Sequence, residues 1–140
     1  ASVGTFDDIA GLVEAYRNGQ ADGGIESHPD DILVTLHTHV GETDAEARRR
    51  AEAAFDLYVD TRLYARKQTY DDIMSSGLSL MGGVDTVRDK VAALQAMGVN
   101  HLVTLHNFGL IPVPDIEASM RRLMRDAVPA ATSREAAAIG

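Results

Sequence analysis

Two apolar segments that share the tetrapeptide Val-Thr-Leu-His constrain the fold of this chain more than any other feature. Residues 32–39 and 101–106 are rich in β-branched and apolar side chains and lack strict alternation, which is typical of strands buried on both faces of a parallel sheet. In each case a loop and then an amphipathic helical pattern follow the strand. The sequence therefore predicts an α/β fold built from parallel βα units.

Helical periodicity and capping signals account for most of the remaining chain. Thr5 precedes a first helix that ends near Gly19, and Thr43 with Glu46 forms a capping-box pattern at the start of a second. A short helical turn is predicted at residues 70–74, a helix between residues 83 and 98, and a last helix over residues 116–127. We expect one unit over residues 1–131 and a tail or linker over residues 132–140.

Two strands are too few for a stable parallel sheet, which is normally wider and covered on both faces. The open edges would expose unpaired backbone amides and carbonyls beside apolar side chains. Three explanations remain: further strands within residues 20–30 or 64–81, completion by a partner, or membership of a larger barrel. The sequence favours the last two.

Composition excludes several classes of function. With 140 residues, of which 45% are hydrophobic, the chain is long enough for one domain with a core. Its 13 Lys and Arg against 21 Asp and Glu give a net charge of −8, which disfavours nucleic acid as a partner. There is no cysteine, which suits a cytoplasmic location, and no apolar run approaches the ~20 residues of a membrane span.

Three motifs carry a resemblance to a known family. Gly-Glu-Thr-Asp-Ala-Glu-Ala at residues 41–47, Gly-Gly-Val-Asp-Thr-Val at 82–87 and Gly-Val-Asn-His-Leu-Val at 98–103 resemble the carboxyl-terminal part of bacterial luciferase-like flavin monooxygenases. The resemblance covers about residues 3–130, with Val84 in place of the usual Pro and Asn100 in place of the usual Asp. Residues 36–41 and 108–110 look most like the branch attached to peptide and polyketide synthesis assembly lines.

The resemblance implies a (β/α)8 barrel more than twice as long as this chain, which would supply its last two strands. It implies reduced FMN as cofactor, dioxygen as oxidant, and a small or carrier-tethered molecule as substrate. The missing amino-terminal half of the barrel, or self-association, would complete the structure. The alternative is a half-barrel without catalysis that self-associates as an interaction or structural module.

Candidate site residues lie where the two predicted strands end. In parallel barrels the active face is formed at the carboxyl ends of the strands, which points to His37, His39, His106 and Asn107. We expect His37 and His106 to be catalytic, and His39, Asn107 and Phe108 to line a substrate or flavin pocket. His37 and His39 share a strand face, and His106 would approach His37 if the strands pair in register.

Other interpretations of these residues stay open. The histidines could be hydrogen-bonded core residues, and the His-x-His spacing also raises a metal site. A metal is disfavoured because no second histidine pair or carboxylate ends the other strand. Gly82 and Gly83 are better explained by a turn before a helix than by a phosphate cradle, because no glycine-rich phosphate motif is present and Asp85 would repel an anion.

Overall fold

The computed structural model describes residues 4–62 and 67–128. In chain order the elements are α1 (Asp8–Asp22), a 3-10 turn (Pro29–Asp31), β1 (Leu33–Gly41), α2 (Asp44–Asp60), α3 (Tyr70–Ser76), β2 (Ser79–Gly83), α4 (Val84–Ala96), β3 (His101–Leu105), α5 (Val113–Arg122) and a closing π-helical turn (Leu123–Ala127). The predicted boundary at residue 131 and the tail over residues 132–140 lie outside the described residues.

The described strands form one parallel sheet in the order β2-β1-β3. β2 pairs with the carboxyl half of β1, where His37 lies opposite Ser79 and Gly41 opposite Gly83. β3 pairs with the amino half, where Leu33 lies opposite His101 and His37 opposite Leu105. The parallel pairing and the helix between successive strands confirm the predicted α/β fold.

The expectation of only two strands is wrong, because β2 is a third. β2 begins within residues 64–81 and continues to Gly83. A further strand in this range was one of the three explanations, and the sequence did not favour it. Its sequence Ser-Leu-Met-Gly-Gly contains no β-branched residue, so it lacks the local signal of a strand. Every residue of β2 is nevertheless buried, which shows that tertiary packing compensates for the weak propensity.

Side chains alternate between two apolar clusters on opposite faces of the sheet. Leu36, Val40 and Leu80 belong to the first cluster, with residues of α1, α4 and the π-helical turn. Met81 belongs to the second, with Phe55 and other residues of α2 and α3. Helices therefore cover both faces of the sheet.

The strand order bears on the predicted barrel. In a (β/α)8 barrel consecutive strands are neighbours, whereas here β1 lies between β2 and β3. The part of the chain that the structure describes is thus a three-stranded parallel sheet flanked by helices, and no closed barrel is seen within it.

Local capping explains where the helices begin. Thr43 accepts a hydrogen bond from the amide of Glu46 at 3.2 Å, as predicted. The Glu46 carboxylate accepts from the amide of Glu42 at 2.6 Å, one residue before the position that a full capping box requires. α1 starts at Asp8, later than expected, and the Asp8 carboxylate accepts hydrogen bonds from the amides of Gly4 and Thr5 that precede the helix. None of the described helices is both long and apolar enough to cross a bilayer.

Candidate functional site

The predicted site residues gather at the carboxyl ends of β1 and β3. His39 lies near the end of β1 and is 3% exposed, and His106 directly follows β3 and is 7% exposed. His37 is half-buried, and it is the only residue of β1 that pairs with both of the described neighbouring strands. In open α/β sheets this edge is where ligands bind, because the helix dipoles and the loops converge there.

His37 is enclosed by aromatic rings. Its ring centroid lies 5.5 Å from that of Phe55, 4.8 Å from that of Tyr58 and 5.3 Å from that of Phe108, all in edge-to-face arrangements. Burial, with a smaller contribution from the charge of Arg62, holds the pKa of His37 below its usual value. Its buried Nε2 has no hydrogen-bond partner among the described residues.

His39 lies in a more polar environment. Burial lowers its pKa, and this effect outweighs the opposite pull of Asp115 and Glu46, while Arg122 and Arg50 add to the lowering. Its Nδ1 is also buried without a hydrogen-bond partner in the described part of the chain. A nearly inaccessible imidazole with a free nitrogen is uncommon in a folded protein, where buried polar groups are normally paired.

His106 is held by a residue that sequence reasoning missed. Its Nδ1 lies 3.1 Å from the hydroxyl oxygen of Ser119 on α5, and that oxygen also accepts a hydrogen bond from the amide of Val40 at 2.8 Å. Burial lowers the pKa of His106, and His39 lowers it further. Ser119 occurs inside a helix and belongs to no motif, so only its tertiary neighbours reveal it.

The register decides which histidines meet. Because Leu105 lies opposite His37, His106 is one position further along the sheet than an aligned pair would require. The register therefore does not align His37 with His106 as expected: His106 contacts Ser119, and His37 lies in an aromatic cluster with Phe55, Tyr58 and Phe108.

The loop after β3 places the last two predicted residues. Asn107 is exposed, whereas Phe108 is only 2% exposed and packs against His37. A Cβ atom on Gly109 would lie 1.5 Å from the carbonyl oxygen of Ala54, so the loop contacts the backbone of α2 directly. Phe108 is thus a core residue that packs against the ring of His37, whereas Asn107 is accessible to solvent.

The start of α4 is already occupied by a carboxylate. Asp44 accepts hydrogen bonds from the amide of Gly83 at 2.6 Å and from the hydroxyl of Thr86 at 3.0 Å. These contacts lower the pKa of Asp44 and place a negative charge where a phosphate would bind. Gly82 and Gly83 end β2, which corrects their assignment to a turn.

Over residues 4–62 and 67–128, no cluster of three or more His, Asp or Glu is arranged to hold a metal ion.

Two open grooves lie away from these residues. One, of about 500 Å³, runs between α1 and the amino half of β1, and another, of about 390 Å³, follows the outer side of β3. None of the five predicted site residues lines either groove.

Comparison with solved structures gives one informative match. The chain superimposes on monooxygenase RslO1 from Streptomyces bottropensis with a TM-score of 0.74 and 18% sequence identity. It shares its fold with part of a monooxygenase. The match covers 89% of this chain but 38% of that enzyme, so the chain spans well under half the length of its neighbour. No family model and no curated protein matches the chain.

Proposed function

We propose that this chain is part of a flavin-dependent, luciferase-like monooxygenase that uses reduced FMN and dioxygen on a small or carrier-tethered substrate. The observation that carries the proposal is the pair of buried imidazole nitrogens, on His37 and His39, that have no partner among the described residues at the carboxyl edge of the sheet. The fold shared with part of RslO1 supports it. The resemblance of the sequence motifs to the assembly-line branch of that family agrees with a carrier-tethered substrate.

The site residues fit one part of a flavin better than the other. An isoalloxazine ring needs apolar walls and a few hydrogen-bonding groups, and the aromatic cluster of His37, Tyr58 and Phe108 lies beside the free histidine nitrogens. The phosphate finds no comparable cradle in the described residues, because Asp44 takes the amide of Gly83. This chain would therefore contribute a ring-facing wall, and the phosphate contacts would come from elsewhere.

Three neutral imidazoles define what this wall can do. Reduced flavin, when bound, activates dioxygen so that one oxygen atom can be inserted into a substrate. Because burial lowers the pKa of His37, His39 and His106, each ring carries one N–H donor and one acceptor nitrogen near neutral pH, although Nδ1 of His106 is already engaged by Ser119. These groups can orient a carbonyl or hydroxyl group of the ligand and hold a proton at a ring nitrogen, while Phe108 keeps water from the His37 side.

Completion by another segment is part of the proposal. No described strand pairs with residues 33–36 on the β2 side, where the 500 Å³ groove runs beside the strand edge. An open edge of this kind binds a further strand, and a monooxygenase of greater length would provide one. We propose that a strand from another segment of such a monooxygenase fills this position.

The alternative of a self-associating module has its own support. On the sheet face that carries His37, the side chains of Leu33 and Val103 are exposed on adjacent strands. Apolar side chains in such a position favour contact with a second copy of the chain or with another protein.

Flavin titration separates the two functions. Fluorescence titration of the chain with FMN and with riboflavin should give similar affinities for both, because the described residues offer the phosphate no cradle. His39→Phe should weaken both, while His101→Phe, at an exposed position at the start of β3, should change neither. Failure of both flavins to bind, together with a concentration-dependent dimer in sedimentation, would favour the self-associating module.

A further inference from the structure

Ser119 connects the ends of two strands at a fully buried position. Its side chain is 0% exposed, and its hydroxyl oxygen contacts the amide of Val40 on β1 and the Nδ1 of His106 after β3. β3 ends at Leu105, so no residue of β3 pairs with Val40, and Ser119 takes the place of a strand partner for that amide. Arg122, one turn further along α5, donates to the carbonyl of Val40 at 3.4 Å.

Counting protons restricts the direction of the hydrogen bond to His106. The backbone N–H of Val40 is a donor only, so it uses one lone pair of the Ser119 oxygen. The hydroxyl proton then needs an acceptor, and in the described part of the chain Nδ1 of His106 is the one within hydrogen-bond distance. If Nδ1 carried the proton, the Ser119 hydroxyl would be buried without an acceptor, which costs about 1–3 kcal/mol.

We infer that Ser119 donates to Nδ1 of His106 and fixes the neutral imidazole as the tautomer with its proton on Nε2. In this form His106 donates a hydrogen bond through Nε2 and cannot accept one there. The ligand class that follows is one that offers an acceptor oxygen, such as a carbonyl or a phenolate, to His106. The assignment of the tautomer depends only on the contacts of Ser119. The statement that His106 binds an acceptor oxygen of a ligand rests on the proposed function.

The inference assigns Ser119 as a positioning residue, since it acts through His106. A purely structural serine would tie α5 to Val40 and leave the imidazole free to adopt either tautomer. The difference between these two roles lies in the proton on His106, so the measurement has to report that proton and not only stability.

Nitrogen NMR of the full chain, labelled with ¹⁵N-histidine, tests the assignment without any flavin. Above the pH at which His106 titrates, the long-range ¹H–¹⁵N pattern should show an unprotonated, hydrogen-bonded Nδ1 and a protonated Nε2. Ser119→Ala should abolish this single tautomer and give a mixture. Thr38→Val is the matched control, because the Thr38 hydroxyl is equally buried but bonds the carbonyl of Leu36 at 3.0 Å, and the His106 pattern should stay unchanged.

Two results would overturn the inference. One is a protonated Nδ1 in the unmodified chain, which can be read even if Ser119→Ala does not fold. The other is an unchanged His106 pattern in a folded Ser119→Ala variant. Neither result depends on flavin binding, so the failure of this inference and the failure of the proposed function remain distinguishable.

Discussion

Replacing Gly109 by alanine adds a methyl group where the loop after β3 touches α2. The Gly109 backbone has φ of +56°, and a Cβ atom would lie 1.5 Å from the carbonyl oxygen of Ala54 and 2.6 Å from its Cα atom. Both contacts are with backbone, so no side-chain rotation can relieve them. The loop must move away from α2, and Phe108 must move with it.

The cost has two parts that a second glycine can separate. A left-handed conformation costs a residue with a Cβ about 1–2 kcal/mol, and overpacking adds about 1–3 kcal/mol. Gly24 has a similar φ of +65°, but nothing lies within 4 Å of its Cβ position. Gly24→Ala therefore carries the first cost alone, about 1 kcal/mol, whereas Gly109→Ala carries both, about 3 kcal/mol.

Urea unfolding followed by circular dichroism measures the difference. With a denaturant slope of about 2 kcal/mol per molar, the midpoint of Gly109→Ala should lie about 1 M below that of Gly24→Ala. The His37 ring signals should shift only in Gly109→Ala, because Phe108 packs against His37. Equal midpoints for the two variants would refute the argument that the loop is fixed by its approach to Ala54.

Three further perturbations follow from the structure. Because burial lowers the pKa of the three site histidines below 6.5, the unfolded chain binds more protons, so the free energy of unfolding should fall as pH drops from 6.5 towards 5. His39→Phe should flatten part of that slope. Thr43→Ala should lose about 1 kcal/mol of stability, because it removes the cap of α2. Leu80→Ala should cost about 2–5 kcal/mol, since this side chain of β2 is fully buried.

Each of these has its own control. A flat stability profile between pH 7.5 and 5 in the unmodified chain would contradict the histidine argument. Thr43→Ser keeps the capping oxygen, so thermal unfolding should show most of the stability retained. Leu110 is 84% exposed, so Leu110→Ala should change stability by less than about 0.5 kcal/mol. If Leu80→Ala and Leu110→Ala lost similar amounts of stability, that result would contradict the placement of β2 in the core.

Local signals were sufficient for much of the fold. β1 and β3 were recognisable from their branched, apolar side chains, and the helices from their periodicity and from Thr43 at a cap. The stop signal at Gly98, two residues after the end of α4, was equally clear, and this glycine has φ of +91°. Such features depend on residues within a few positions of one another, so the sequence encodes them directly.

The candidate site was predicted only in part. The position of His37, His39 and His106 at the strand ends followed from the βα pattern. Their grouping did not, because it depends on the stagger of β3 against β1, which sets Leu105 opposite His37. Ser119 could not be found at all, since it lies 79 residues from its partner Val40 and carries no motif.

The amino-acid sequence by itself determined that this protein is α/β, with parallel strands and histidines at their carboxyl ends. The tertiary structure decided the order β2-β1-β3, the burial of Ser-Leu-Met-Gly-Gly as a strand, and the joining of His106 to Ser119. The physical reason is the range of the interactions. Caps and periodicity stabilise each segment locally, whereas strand order and side-chain neighbours are selected by which distant apolar faces can be buried together.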